Sequence, residues 1–540
     1  MKLVTVAEMR TIEEEADANG LTYSKMMENA GHGLAQEIQV LAYSTDGREI
    51  LALVGPGNNG GDALVALAHL AADEWRARAY LVRRDPAGDP LVERLQKAGG
   101  EILSAADDSN FEKLSAFIGT ADVVLDGILG TGFKLPLKPE IAGVLDAVNQ
   151  AISGLGWPPY VVAVDCPSGL NCDTGEAAPE VVPASLTVCM AAIKRGLLKL
   201  PAFDLAGELC VVDIGLSDEK GWKAICHEVA DDELIADLLP DRPSDAHKGT
   251  FGIALIAAGS LNYPGAALLA GKAAYRSGAG LVQMAVPAPV QGMMASNLPE
   301  ATWSLLPHEM GAISGNAAEI LAKNFERASA LLVGPGLGTE ESTAKFIENL
   351  FNKGKPPVRK TSGIGFVHKE NEQKQAERVG LPPLVVDADG LRLLAKIEKW
   401  NEFLPALTVL TPHPGEMAAL SGLKKDEIQA DRLGIALKFA AEWGHIVVLK
   451  GAFTVIAAPD GRATMIPVAH PALARAGSGD VLAGLIVGLR AQGLAAYESA
   501  VAGAWLHAQA GLLAVEKVGA SASVLAGDIL DAIPDALSGF

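Results

Sequence analysis

Short β-like runs, several of them apolar from end to end, recur along this chain: Ile50–Val54, Ala79–Val82, Val123–Leu125, Tyr160–Val164, Leu186–Met190 and Leu209–Ile214 in the first half. Stretches of helical periodicity lie between them. A strand with one wet face alternates apolar and polar residues, whereas a run that is apolar throughout needs cover on both faces, which a parallel sheet between two helical layers provides. A second series, Gly252–Ala257, Leu281–Val286, Ala330–Val333, Leu384–Val386, Leu407–Leu410, Ile446–Leu449 and Thr454–Ala457, follows the charged, turn-rich stretch 217–243. The pattern predicts two α/β domains, 1–220 and 221–540.

The first domain reads as a Rossmann-like three-layer unit. A length of 540 residues accommodates two large domains, and 49% hydrophobic with 20% charged residues fits a globular α/β chain. The net charge of −21 opposes attraction to nucleic acid or to an anionic membrane, which leaves small molecules as the expected partners. No apolar run reaches the roughly 18 to 20 residues of a membrane span, and Met1–Glu15 carries charges where a signal peptide needs an apolar core, so a cytoplasmic protein is expected. Cys166, Cys172, Cys189, Cys210 and Cys226 are odd in number and include no CxxC pair, which points to buried free thiols rather than disulfides or a thiolate metal site. Thr5-Val-Ala-Glu8 has capping-box spacing and predicts a helix through about Ala18.

In the second half, Gly477-Ser-Gly-Asp480 precedes an apolar, helix-like run. Glycines there let successive backbone N–H groups converge at the positive end of a helix, a place for a phosphate or a developing oxyanion. An aspartate directly behind them can take the proton of a hydroxyl that attacks phosphorus. Alone, these residues would serve as a helix-capping turn. Their companions weigh against that: Gly334-Pro-Gly-Leu-Gly338, Asp387-Ala-Asp389, Thr411-Pro-His-Pro-Gly-Glu416 and Lys450-Gly-Ala-Phe-Thr454 each end a predicted strand, and open α/β sheets bind ligands at strand C-termini.

With His247-Lys-Gly-Thr-Phe-Gly252, Tyr263-Pro-Gly-Ala-Ala267 and Arg276-Ser-Gly-Ala-Gly-Leu281, this series resembles the ribokinase-like superfamily and, within it, the ADP- or ATP-dependent NAD(P)H-hydrate dehydratases, over most of residues 245–535. The resemblance implies a ribokinase-like α/β domain in which a nucleotide, with Mg²⁺, drives loss of water from a hydrated nicotinamide ring. By it, Asp480 is the base that activates the ring hydroxyl toward the β- or γ-phosphoryl group. Gly338, His413 and Ala267, with Ala266 nearby, contact the hydrated dinucleotide together with Asp480. Lys450, Gly451, Ala452, Phe453, Thr454, Gly477, Ser478 and Gly479 hold the adenine nucleotide, the last three also stabilising the transferring phosphoryl group. Ser478 stands where threonine is commoner and would act through its amide, and Gly390 stands where alanine is commoner.

In the first half, Gly55-Pro-Gly-Asn-Asn-Gly-Gly-Asp62 lies between the strand Ile50–Val54 and the helix-like Ala63–Ala72. This arrangement suits a phosphate, although it matches neither GxGxxG nor a Walker loop. Asp126-Gly-Ile-Leu-Gly-Thr-Gly132 and Asp165-Cys-Pro-Ser-Gly169 end two further strands. Asn59, Asp126 and Ser168 offer hard oxygen donors of the kind a monovalent or alkaline-earth cation accepts, and Asp165 is left as an acid or base. With Met27-Glu-Asn-Ala-Gly31 and Asp173-Thr-Gly175, these motifs resemble the NAD(P)H-hydrate epimerase domain over nearly all of residues 1–215. The resemblance implies substrate contacts from Asn58, Asn59, Gly60, Gly61 and Asp62, from Gly130, Thr131, Gly132, Phe133, Lys134, Leu135 and Pro136, and from Asp165. It places K⁺ on Asn59, Asp126 and Ser168, and gives Asp165 the proton transfer as the hydrated carbon inverts. Lys134-Leu135 departs from the family's usual residues.

The joint expectation is a bifunctional repair enzyme, homo-oligomeric as its relatives imply, that epimerises the R and S hydrates NADHX and NADPHX and dehydrates the S form with ADP or ATP. Two readings compete: a ribokinase-like small-molecule kinase fused to a Rossmann-like binding module, and a first half that only binds or scaffolds. The basic segment Lys353–Gly380, seven Lys or Arg against three Glu, breaks the strand–helix rhythm and reads as an exposed loop.

Overall fold

The computed structural model describes residues 1–42, 47–351 and 380–540. Apart from Gly380, the basic segment lies outside them. The described residues form two compact units, Met1–Val229 and Ala230–Phe540. The first runs past residue 220 because its end returns to the N-terminus: Val229 N donates to Met1 O at 2.8 Å, and Lys2 forms a β-bridge with Glu228.

The first unit holds a seven-stranded parallel sheet. Its strands are β1 (Glu49–Val54), β2 (Arg76–Leu81), β3 (Glu101–Ser104), β4 (Val123–Gly127), β5 (Tyr160–Val164), β6 (Leu186–Met190) and β7 (Glu208–Val212), in the order β3-β2-β1-β4-β5-β6-β7. Within β1, Ile50, Ala52 and Val54 pack with Ala63, Leu64 and Leu67 on one face, while Leu51 and Leu53 pack with Tyr80, Leu145 and Val148 on the other. That two-sided burial is what the uninterrupted apolar runs require. The chain leaves β1 toward β2 and β3, then crosses back to β4, so the loops after β1 and β4 part and leave a crevice at the strand ends. This is the Rossmann-like layering expected.

Around this sheet lie α1 (Val6–Ala18), α2 (Tyr23–Ala42) and α3 (Asn58–Ala72). The capping box of α1 forms as predicted, with Thr5 Oγ1 accepting from Glu8 N and Glu8 Oε2 accepting from Thr5 N. By contrast, α3 begins at Asn58, inside the glycine-rich stretch, and not at Ala63. A Cβ on Gly60 would overlap the Gly55 backbone, so this glycine, read from sequence as part of a turn, serves close packing of the first helical turn.

The second unit carries β8 (Ile253–Ala257), β9 (Leu281–Pro287), β10 (Thr302–Leu306), β11 (Ala330–Val333), β12 (Leu384–Val386), β13 (Val409–Leu410), β14 (Ile446–Leu449), β15 (Val455–Ala457) and β16 (Ala463–Met465). They run in the order β16-β15-β14-β13-β12-β11-β8-β9-β10, parallel except for β15 and β16. The direction of winding reverses between β8 and β11, which opens the crevice of a ribokinase-like domain at the ends of β11 to β14. The edge strands β3 and β10 escaped the apolar-run pattern because they are only partly covered.

Helices α4 (Pro264–Arg276), α5 (Ser478–Ala491) and α6 (Ala496–Val518) contribute to the main core of this unit. A Cβ at Gly484 would overlap Ala270 O, and one at Gly488 would overlap Ser277 Oγ. These glycines let α5 lie hard against α4 and hold its N-terminus in place. No helix among the described residues is long and apolar enough to cross a membrane. None of the five cysteines is in a disulfide. Cys166, Cys172 and Cys189 are buried as expected, whereas Cys210 is half-buried and Cys226, in the stretch after β7, is exposed.

Two candidate active sites

In the second unit the loops after three strands, β12, β13 and β14, meet at Lys450, the residue that follows β14. Its Nζ donates to Asp387 Oδ1 at 2.6 Å and lies 3.8 Å from Glu416 Oε2. Asp387 ends β12, is 1% exposed, and also accepts from Thr411 Oγ1 at 2.7 Å. Burial works against the charge on Lys450, but Asp387 and Glu416 outweigh it and hold its pKa above the usual lysine value.

His413 and Glu416 cap the helix Pro414–Ser421 reciprocally. His413 Nδ1 accepts from Gly415 N at 2.9 Å and Glu416 N at 3.2 Å, while Glu416 Oε2 accepts from His413 N at 2.9 Å. With Nδ1 occupied as an acceptor, the ring proton belongs on Nε2, which faces Glu416 Oε1 at 3.2 Å. Burial raises the Glu416 pKa, and the His413 hydrogen bond and Lys450 charge bring it below its ordinary value. Gly338 N donates to Asp389 Oδ2 at 2.9 Å, and Arg392 spans Asp389 at 3.5 Å and Glu416 at 3.7 Å. Gly338, His413 and Lys450 are thereby tied into one network.

Asp480 sits in the first turn of α5, against this network. Burial first, and then the negative charge of Asp387, push its pKa up to about 7 against the opposing pull of Lys450. The approach depends on glycine. Gly477 has φ 90°, and a Cβ there would lie 2.7 Å from Leu269 Cδ1 and 3.0 Å from Ala526 Cβ. The Cβ position of Gly479 is 3.4 Å from Lys450 Nζ and 3.9 Å from Asp387 Oδ2. Ser478 turns its hydroxyl inward to His507 Nε2 at 3.0 Å, and its amide donates to Arg475 O at 3.2 Å, so the amide that the sequence reading assigned to the phosphoryl group closes the turn before α5. Burial pushes the pKa of that histidine down to about 4.

The Lys450–Thr454 turn is closed by its own threonine: Thr454 Oγ1 donates to Gly451 O at 2.9 Å and accepts from Gly451 N at 3.3 Å. Phe453 is buried beneath, and Gly451 and Ala452 are left exposed. Ala267 is fully buried and packs toward Gly259, while Ala266 is the alanine that faces Gly336. Sequence reasoning placed Asp387, Asp389 and Glu416 in motifs without giving them a role, and it passed over Arg392. Acids at the ends of successive strands were the available signal. Among the described residues no three His, Cys, Asp or Glu converge as a ready-made metal centre. Such hard carboxylates suit a Mg²⁺ that shares its coordination with nucleotide phosphates.

In the first unit a cavity of about 920 Å³ opens at the crevice between β1 and β4, with Asn58, Asn59, Asp62, Asp165 and the loop Leu129–Phe133 in its wall. Asp165 follows β5 at φ 64°. Its Oδ1 accepts from Met190 N at 2.9 Å and pairs with the ammonium of Lys194, which is 1% exposed. Burial opposes the lysine charge, but Asp165 more than offsets it and raises the Lys194 pKa. Sequence reasoning missed Lys194, although a lysine closing the apolar stretch 186–193 was a visible signal.

Behind Asp165, Asp126 accepts from Ser168 Oγ at 2.5 Å and Ser168 N at 2.7 Å. Asn59 Nδ2 donates to Val164 O, and its Oδ1 turns to Gly130, where a Cβ would overlap it. Asp126 is 1% exposed, has no ion pair among the described residues, and has its pKa raised by burial. An uncompensated buried carboxyl with the oxygens of Asn59 and Ser168 is a donor set of the hard type that suits K⁺. Thr131, Gly132 and Phe133 line the cavity, whereas Lys134, Leu135 and Pro136 lie outside its wall. Gly60 and Gly61 are buried in α3, the second against Met27.

Residues 23–196 match the family described as YjeF-related protein N-terminus, and residues 254–382 and 372–535 match the NAD(P)H-hydrate dehydratase family. The bifunctional NAD(P)H-hydrate repair enzyme Nnr of Moorella thermoacetica is 38% identical over 99% of this chain and 96% of its own. The enzyme of that name from Thermofilum pendens is 35% identical over 96% and 93%. Among solved structures, the ADP/ATP-dependent NAD(P)H-hydrate dehydratase from Bacillus subtilis, co-crystallized with ATP and Mg²⁺, is 30% identical, covers 58% of this chain and 98% of that one, and has a TM-score of 0.46. This chain therefore belongs to the family of bifunctional NAD(P)H-hydrate repair enzymes.

Proposed function

We infer that this chain repairs hydrated NAD(P)H in two steps: the first unit interconverts the R and S hydrates, and the second removes water from the S hydrate at the expense of ADP or ATP. The observation that carries the second step is Asp480, a buried carboxyl with a pKa of about 7 at the N-terminus of α5 beside Lys450. A base whose pKa lies near the working pH combines availability with driving force. Asp480 takes the proton of the ring hydroxyl as that oxygen bonds to the terminal phosphorus and the bridging P–O bond breaks, its electron pair leaving with AMP from ADP or with ADP from ATP. In this reading the backbone N–H of Gly479 and the Lys450 ammonium stabilise the charge on the phosphoryl group. The phosphorylated oxygen then leaves with its C–O electron pair, the ring nitrogen supplies electrons, and loss of a proton from the neighbouring carbon restores the dihydropyridine. In this reading Gly338 and His413 orient the dinucleotide, and the exposed Gly451 and Ala452 meet the nucleotide.

Mg²⁺, held by nucleotide phosphates together with Asp387 or Glu416, would neutralise phosphate charge. K⁺ on Asn59, Asp126 and Ser168 would compensate the buried carboxyl and fix the Gly130–Phe133 loop against the substrate. Asp165, held by Lys194, transfers a proton as the hydrated carbon inverts. A cytoplasmic location belongs to the same reading, and sedimentation equilibrium reads out the homo-oligomer that the family resemblance implies. The test of the function is spectroscopic: hydrated NADH with ADP or ATP regains dihydronicotinamide absorption. Nucleotide consumption with a sugar acceptor and no such recovery would mark a kinase instead.

A further inference from the structure

Of the four acids that line the first unit's cavity, Glu13, Glu14, Asp62 and Asp165, only Asp62 and Asp165 are buried, and of these two only Asp165 has a partner. Asp62 lines the cavity wall with Asp165 and is 7% exposed. Its carboxyl has no hydrogen bond or ion pair among the described residues, and neither oxygen is sealed away from the cavity. A buried carboxyl without a partner costs on the order of 1–3 kcal/mol, a cost that an alanine or leucine at this point would not carry. The charged groups that face it are Glu13 from α1, Asp165 from the loop after β5, and Lys194. Arg10 and Glu14, also on α1, line the same space. Lys194 is already committed to Asp165. Burial first, and then the charges of Asp165 and Glu13, raise the Asp62 pKa well above the ordinary range of an aspartate, with Lys194 opposing. One cavity thus holds one carboxylate ion-paired to an ammonium and one carboxyl whose surroundings keep its proton. One buried acid held in an ion pair beside another that has no partner is an arrangement from which base and acid roles are assigned.

We propose that Asp62 and Asp165 are the acid and the base of the epimerisation, Asp62 protonating the ring nitrogen while Asp165 takes the proton of the hydroxyl. The proposal rests on the reading that the first unit is the epimerase. In a hydrated dihydronicotinamide, water has added across an enamine double bond, so the carbon that bears the hydroxyl is also bonded to the ring nitrogen. When Asp165 removes the hydroxyl proton, the O–H electron pair becomes the second bond of a carbonyl and the C–N pair goes to nitrogen, which accepts the Asp62 proton. Rotation about the adjacent C–C bond presents the other face of the aldehyde. The nitrogen attacks it, returns its proton to Asp62, and the carbonyl oxygen recovers its proton from Asp165. Nothing is oxidised or reduced, and no co-reactant is consumed.

The test is Asp62→Asn in the full chain, with epimerase turnover measured on pure R hydrate and dehydratase turnover measured on pure S hydrate. The expected result is a fall in epimerase kcat of about 10²- to 10⁴-fold with KM within a few-fold of wild type, loss of the alkaline limb of the epimerase pH profile, and partial rescue by Asp62→Glu. Unchanged dehydratase turnover in the same preparation shows that the chain is folded. Retained kcat, with or without a raised KM, would make Asp62 a binding residue and overturn the proposal. A wild-type chain that leaves R hydrate unconverted would fail the epimerase reading itself, and the proposal with it.

Discussion

Lys450 commits its ammonium to Asp387 at 2.6 Å, and the side chain of Asp480, in the same site, has no hydrogen bond or ion pair among the described residues. Burial and the nearby Asp387 charge then set the Asp480 pKa at about 7. The site couples one neutralised acid to one that titrates at working pH.

Dehydratase turnover should therefore rise as pH increases through about 7, where Asp480 becomes a base. Asp480→Asn should lower kcat by about 10²- to 10⁴-fold while nucleotide binding, measured by calorimetry, stays within a few-fold. Near-wild-type turnover in this variant would remove Asp480 from the chemistry.

The same carboxyl should cost stability when ionised. Its folded pKa of about 7 lies above the ordinary 3.8, so its contribution is fully present below about 3.8 and is lost as pH rises through about 7. At pH 8 Asp480→Asn should be more stable than wild type, by on the order of 2–4 kcal/mol at 1.4 kcal/mol per unit. The gain should vanish near pH 3. Denaturant unfolding at the two pH values measures both ends.

The Lys450 charge lowers the Asp480 pKa. Lys450→Gln should move the dehydratase pH limb to higher pH and raise the KM for ADP or ATP. An unmoved limb would mean that Lys450 serves the nucleotide alone.

Gly477→Ala combines a left-handed backbone with overlap against Leu269 and Ala526. The backbone term alone is about 1–2 kcal/mol. The variant should lose dehydratase activity through displacement of the first turn of α5 and retain epimerase activity, which assays on the separate epimers distinguish.

In the first unit, Asp126→Asn removes the buried negative charge that a bound cation would compensate. Epimerase turnover and thermal stability of the wild type should increase with K⁺ over an equal concentration of a bulky organic cation. The variant should lose that difference.

Strands covered on both faces were legible in the sequence: β5, β6, β11, β12 and β14 fall at the predicted residues, because burial on two sides leaves a continuous apolar run. The half-covered edge strands β3 and β10 leave no such run. Asp480, Asp165 and His413 were legible because each sits in a loop whose glycines or prolines mark a strand end. Lys194 and the spare proton of Asp62 were not, since both depend on which acid the fold sets beside which lysine. Glycines misled where they pack and do not turn, as Gly60 does in α3. The choice between Ala266 and Ala267 is set by the direction of α4 against the Gly334–Gly338 loop.

The most direct test of two activities in one chain is a single progress curve on a mixture of known R and S content, with excess ADP or ATP and Mg²⁺, followed by dihydronicotinamide absorption. Repair by both units predicts recovery of the whole mixture, and Asp165→Ala should stop at the S fraction. A wild-type curve that halts at the S fraction, or never rises, would contradict it.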